Sequence, residues 1–139
     1  MTDKDSRWNA FIDEVCYREI SSLSDVQKNA VLCFWYDAEM NSGGHSGYID
    51  CYPETNPNEL YNALLVVGNK DIADNYRKAL DEGENDGWES TDSRYYCFSP
   101  SLCEYLEDYV EKHKHDVDIG LNFQSFIIKR FMDKNTLEL

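Results

Sequence analysis

Apolar residues recur along this chain at intervals of three and four, the repeat of helices buried on one side. Trp8, Phe11, Ile12, Val15 and Ile20 predict a first helix with Ser6 as its cap. Ser24 and Gln27 have capping-box spacing and open a second helix through Ala30, Val31, Phe34 and Ala38. Cys33, Trp35, Tyr36 and Met40 make that helix apolar nearly all round, which places it centrally in the core. Asn58 is read as the cap of a short helix that Gly68 stops, and Ile72, Tyr76, Ala79 and Leu80 predict another ending near Gly83. Ser99-Pro100 reads as a helix start, followed by the most regular stripe of the chain: Leu102, Tyr105, Leu106, Tyr109, Val110 and His113. Phe123, Phe126, Ile127 and Phe131 suggest a last helix.

Two stretches break the pattern. Residues 41–58 begin with Asn-Ser-Gly-Gly-His-Ser-Gly, and residues 83–98 are polar with scattered aromatics. Both are predicted to be long loops, with Gly43-Gly44 ending the second helix. The expectation is an all-α, single-domain bundle of about six helices spanning residues 1–139.

Charge changes this picture from a generic bundle to an acidic one. The 139 residues hold 27 Asp and Glu against 13 Lys and Arg, a formal charge of −14. With 14% aromatic residues the chain is too rich in core-forming groups for an acidic disordered tail. So negative a surface disfavours direct nucleic-acid binding and anionic membranes. No apolar run approaches the length of a bilayer span, and the first residues do not resemble a signal peptide. Five cysteines without a CxxC pair fit reduced thiols, so a cytoplasmic location is expected.

The acids are unevenly placed. Residues 1–30 carry −2 and residues 119–139 carry +1, leaving −13 for residues 31–118. Glu104, Glu107, Asp108 and Glu111 recur at helical spacing opposite an apolar stripe, and Asp81, Glu82, Glu84 and Asp86 crowd a second segment. Such rows are ordinarily solvated faces, but their repetition also suits docking onto a cationic partner.

Motifs for chemistry are weak. His45, near Glu39 and Asp50, could serve acid–base or metal chemistry, although a hydrogen-bonded role inside its own loop is the simpler reading. Cys51 is expected to be a buried thiol rather than a nucleophile paired with His45. His113 and His115 are read as helix-end residues. Phosphate loops and the GxSxG elbow are absent.

Glu39, Asn41, Gly43, Gly44 and His45 spell E-x-N-x-G-G-H, which resembles the signature of a bacterial family of mostly uncharacterised, acidic, all-helical proteins. Leu60–Gly68, Thr91–Pro100 and Leu106–Val110 resemble later elements of that family, so the likeness covers about residues 25–115. One member is described as a protein mimic of duplex DNA. The resemblance implies an all-helical domain without known catalytic residues. The leading expectation is therefore a non-enzymatic protein whose acidic face binds a basic protein, such as a DNA-binding protein, in place of DNA. No cofactor or metal is expected, and a homo-oligomer is compatible with the sequence. The alternatives are a hydrolytic or metal-assisted enzyme built on Glu39, His45, Asp50 and Asp92, and an immunity or antitoxin protein against a basic toxin.

Overall fold

Ser24 and Gln27 do close a reciprocal cap: the Gln27 N–H donates to Ser24 Oγ at 3.2 Å, and the Ser24 N–H donates to Gln27 Oε1 at 2.9 Å. The helix they open, α2 (Asp25–Met40), follows α1 (Asp3–Ala10) in a computed structural model that describes residues 2–115. The remaining helices are α3 (Gly44–Cys51), α4 (Pro57–Val67), α5 (Lys70–Glu82), α6 (Glu89–Cys97) and α7 (Leu102–Lys112). Short 3₁₀ turns occupy Ile20–Ser22 and Gly83–Asp86, and a π-turn occupies Phe11–Val15. The described residues contain no strand, so the protein is all-α. None of these helices is long and apolar enough to cross a membrane.

The two predicted loops are corrected to helices. The first contains α3 and the second contains α6. Local composition hides both, because glycine and serine are poor helix formers and neither segment carries a full apolar stripe. Only tertiary contacts made by Gly44, His45 and Tyr48 in α3, and by Thr91 and Tyr95 in α6, bury them.

Helix ends are corrected by the rule that a side chain must satisfy the first free N–H groups. The cap of α1 is Thr2, in a capping box with Asp5, rather than Ser6, and the helix stops before Ile20. Asn56, not Asn58, caps α4, because Pro57 fills its first position. Ser101 replaces Ser99 at α7, since Glu104 stands three residues on and donates its N–H to Ser101 Oγ while accepting from the Ser101 N–H. Gly68 and Gly83 end α4 and α5 as expected.

The described residues form two compact units. One comprises residues 28–109 and the other residues 2–27 with 110–115. In the larger unit α2 buries Ala30, Val31, Cys33, Tyr36 and Met40, although Ala38, expected on the core side, is exposed. Leu60, Leu64, Ile72, Ala73, Tyr76 and Ala79 pair α4 with α5, while Leu80 is partly exposed. α7 buries Leu102, Leu106, Tyr109 and Val110 from its predicted stripe. The last helix expected around Phe123–Phe131 lies outside the described residues.

In the smaller unit Phe11 and Val15 are fully buried and Trp8 stacks on Phe11. Burial raises the Cys16 thiol to about 12. Arg7 forms a two-pronged ion pair with Glu111: Nε donates to Oε2 at 2.8 Å and Nη2 donates to Oε1. The two side chains are only 15% and 28% exposed, so this pair exceeds an ordinary surface bridge. Replacing Arg7 by Ala should lower stability by about 1 kcal/mol, and a double-mutant cycle with Glu111→Gln should recover that value as coupling energy. Urea unfolding at low and high salt is the measurement, with the smaller loss at high salt.

Candidate functional site

The signature residues meet where the end of α2 turns into α3. Asn41 ties the end of α2 by donating its amide to the Asp37 carbonyl at 2.9 Å. Gly43 and Gly44 then reverse the chain, with Gly44 at φ +66°. A Cβ on Gly44 would lie 2.4 Å from Asp92 Oδ2, so glycine is needed here both for its backbone conformation and for the approach of that carboxylate. Glu39 uses the neighbouring gap: its Oε1 would stand 2.9 Å from a Cβ on Gly47 and 3.1 Å from one on Gly43. Two carboxylates thus gather at the positive end of α3.

Asp92, on α6, makes the central contact. Its Oδ1 accepts from the His45 backbone N–H at 3.0 Å and lies 2.7 Å from His45 Nδ1. The other ring nitrogen, Nε2, lies 2.6 Å from the Tyr36 hydroxyl on α2. An ionised Asp92 only accepts, so Nδ1 carries the proton, Nε2 accepts, and Tyr36 O–H donates. His45 is 1% exposed, and burial lowers its proton affinity against the opposing pull of Asp92.

Tyr36 stands at the centre of an aromatic cluster. Tyr48, Tyr76 and Tyr95 surround its ring edge-on at 5.2, 5.4 and 5.6 Å, drawing α2, α3, α5 and α6 together. Pairs of this geometry add roughly 0.5–1.5 kcal/mol each beyond burial. Desolvation pushes the Tyr36 hydroxyl well above its ordinary range and the Tyr48 hydroxyl up to about 12. Tyr95 donates to Asp37, whose carboxyl burial pushes up while hydrogen bonds from Tyr95 and Asn41 hold it down. Tyr96 donates to the Met40 carbonyl.

This geometry revises the chemical readings. His45 is hydrogen-bonded to α2 and α6 rather than within its own segment, because that segment is a helix whose first turn faces them. Both ring nitrogens are engaged, which leaves neither for a substrate. Cys51 is exposed, not buried, and its Sγ lies 3.9 Å from Glu39 Oε1 at the far end of α3. His45 and Asp92 do come together, while Asp50 is exposed on α3. Among the described residues no three His, Cys, Asp or Glu side chains gather as a metal site. All five cysteines are free.

The acidic candidates separate into two groups. On α7, Glu104 caps its own helix and Glu111 holds Arg7, whereas Glu107 is half-buried and Asp108 exposed. At the α5–α6 corner, Asp81, Glu82, Glu84 and Asp86 are all exposed. Asp86 accepts from the Ser90 N–H at 3.1 Å, and the serine holds its carboxyl below the usual range. Trp88 fixes this corner. Its backbone is left-handed at φ 64°, its indole N–H donates to the Ala79 carbonyl at 3.0 Å, and its ring lies where a Cβ on Gly83 would be. Sequence reading did not single out Trp88; the aromatics of residues 83–98, with Gly83 and Gly87, were the local signal.

A small all-helical protein, held inside by a carboxylate–histidine–tyrosine chain and lined outside by carboxylates, is the class these features define. The chain belongs to the DMP19-like protein family, whose sequence profile matches residues 21–113 and so encloses Glu39–His45 and Asp92. No curated protein and no solved structure matches it significantly.

Gly44→Ala should cost at least about 2 kcal/mol, from the left-handed backbone and the collision with Asp92 together. Combining it with Asp92→Ala should cost less than the sum of the single losses, as read by urea denaturation.

Proposed function

We propose that this protein is a non-enzymatic interaction protein whose exposed carboxylates occupy the DNA-binding surface of a basic protein, in the manner of a DNA mimic. The observation that carries this reading is the charge of residues 28–109: sixteen Asp and Glu against five Lys and Arg, a net −11. Its cations are largely occupied. Lys28 pairs with Glu59, Lys70 pairs with Asp74, Arg77 lies over the Tyr61 ring, and Arg94 lies over Phe98. By contrast, Asp81, Glu82 and Glu84 take no hydrogen bond or ion pair among the described residues.

Membership of the DMP19-like family supports the same reading. Duplex DNA presents about one negative charge per 1.7 Å of axis, and its partners are steered first by that field. The corner at Asp81–Asp86 is the principal docking surface in this proposal, with Glu104, Glu107, Asp108 and Glu111 of α7 as secondary contributors. An immunity or antitoxin role would use the same electrostatics against a basic toxin. A hydrolytic role is less well supported, since His45 has no free ring nitrogen.

The test is affinity capture from native lysate at low and high salt. The expected result is a DNA-binding protein that is released by salt and by added duplex DNA. A variant carrying Asp81→Asn, Glu82→Gln, Glu84→Gln and Asp86→Asn should bind it at least about tenfold more weakly, since four exposed contacts at a few tenths of a kcal/mol or more are removed. Undiminished binding by that variant would move the interface elsewhere. Retention of a basic toxin in place of a DNA-binding protein would favour the immunity reading.

A further inference from the structure

His45 is a titratable group closed off from water, and its two hydrogen bonds differ in what they tolerate. The bond from Nδ1 to Asp92 survives protonation of the ring. The bond at Nε2 does not, because a protonated ring donates from both nitrogens. Tyr36 would then have to accept, and its own hydroxyl hydrogen would need another acceptor. Among the described residues it has no second partner in place: Tyr36 is fully buried, faced by Tyr48 of α3, Tyr76 of α5 and Tyr95 of α6, with Cys33 of its own helix nearby, and its hydroxyl is hydrogen-bonded to His45. Asp92 of α6 is the charged group facing the ring, and it favours protonation.

We propose that Asp92, His45 and Tyr36 form a proton-sensitive latch, in which acid reverses the Tyr36–His45 hydrogen bond and loosens α3 from α2 and α6. The proposal is independent of the partner-binding reading. Burial lowers the affinity of folded His45 for a proton, with Asp92 opposing. A depressed value means that the unfolded chain takes up the proton first. The stabilisation is therefore present above the ordinary histidine value near 6.5 and is lost as pH falls through it.

The test compares urea unfolding of the full chain and of Tyr36→Phe between pH 7.5 and 5. In the wild type the unfolding constant should rise on acidification, by up to about tenfold per pH unit from this site. Tyr36→Phe removes the donor that favours neutral His45 and the hydrogen that protonation would strand, so its acid dependence should be clearly shallower. Ring ¹⁵N NMR at pH 7.5 should find Nε2 unprotonated, and amide exchange, corrected for intrinsic rate, should accelerate at His45–Tyr48 at pH 5.5. An acid dependence unchanged in Tyr36→Phe would assign the effect to burial alone and overturn the latch. A proton on Nε2 at pH 7.5, or unaltered protection of the α3 amides in acid, would overturn it as well.

Discussion

One carboxylate oxygen organises the larger unit. Asp92 Oδ1 takes both the backbone N–H and the ring N–H of His45, and this single acceptor sets the start of α3, the tautomer of the imidazole and the direction of the Tyr36 hydroxyl. The left-handed glycine exists because the carboxylate must approach where a side chain would stand. Tyr36, fixed in turn, presents its ring to three other tyrosines. A buried polar group that lacked a partner would cost roughly 1–3 kcal/mol, so the chain is favourable only because each member is satisfied.

The acidic composition therefore has two physical roles. Asp92, Asp37, Glu104 and Glu111 are spent on structure: they anchor a helix start, accept from a buried tyrosine, close a capping box and hold an arginine. Asp81, Glu82 and Glu84 are turned outward at a corner that Trp88 fixes by clamping onto Gly83 and the Ala79 carbonyl. Net charge alone does not distinguish these roles. A carboxylate already accepting strong hydrogen bonds has less to offer an incoming cation than one facing only water.

Much of the helix layout was legible in the sequence, because it is written in local signals. The capping box at Ser24, the stops at Gly68 and Gly83 and the stripe of α7 depend on residues within a few positions of one another. α3 and α6 were illegible for the opposite reason: they are helices by virtue of contacts between segments 47 residues apart in sequence. Asp92 was associated with His45 on the sequence alone, but as a catalytic partner. What could not be read was the burial of the imidazole and the Tyr36 hydroxyl on its far side, which turn a reactive constellation into a closed one. The α7 stripe was legible as a pattern, and Ser101 and Glu104 have capping-box spacing, whereas the pairing of Glu111 with Arg7, 104 residues away, became visible only in three dimensions.

The closeness of Gly44 to Asp92 bears on how such a protein can evolve. Interior positions of this kind form an interlocked set, in which a change at the glycine, the aspartate, the histidine or the tyrosine is felt by the others. The outward acids at the α5–α6 corner answer to no such lock, since among the described residues only Ser90 hydrogen-bonds to one of them, Asp86. Selection can therefore redraw the exterior charge pattern in single steps while the scaffold stays intact. A frame with that separation leaves the outer charge pattern open to change at little cost to the fold.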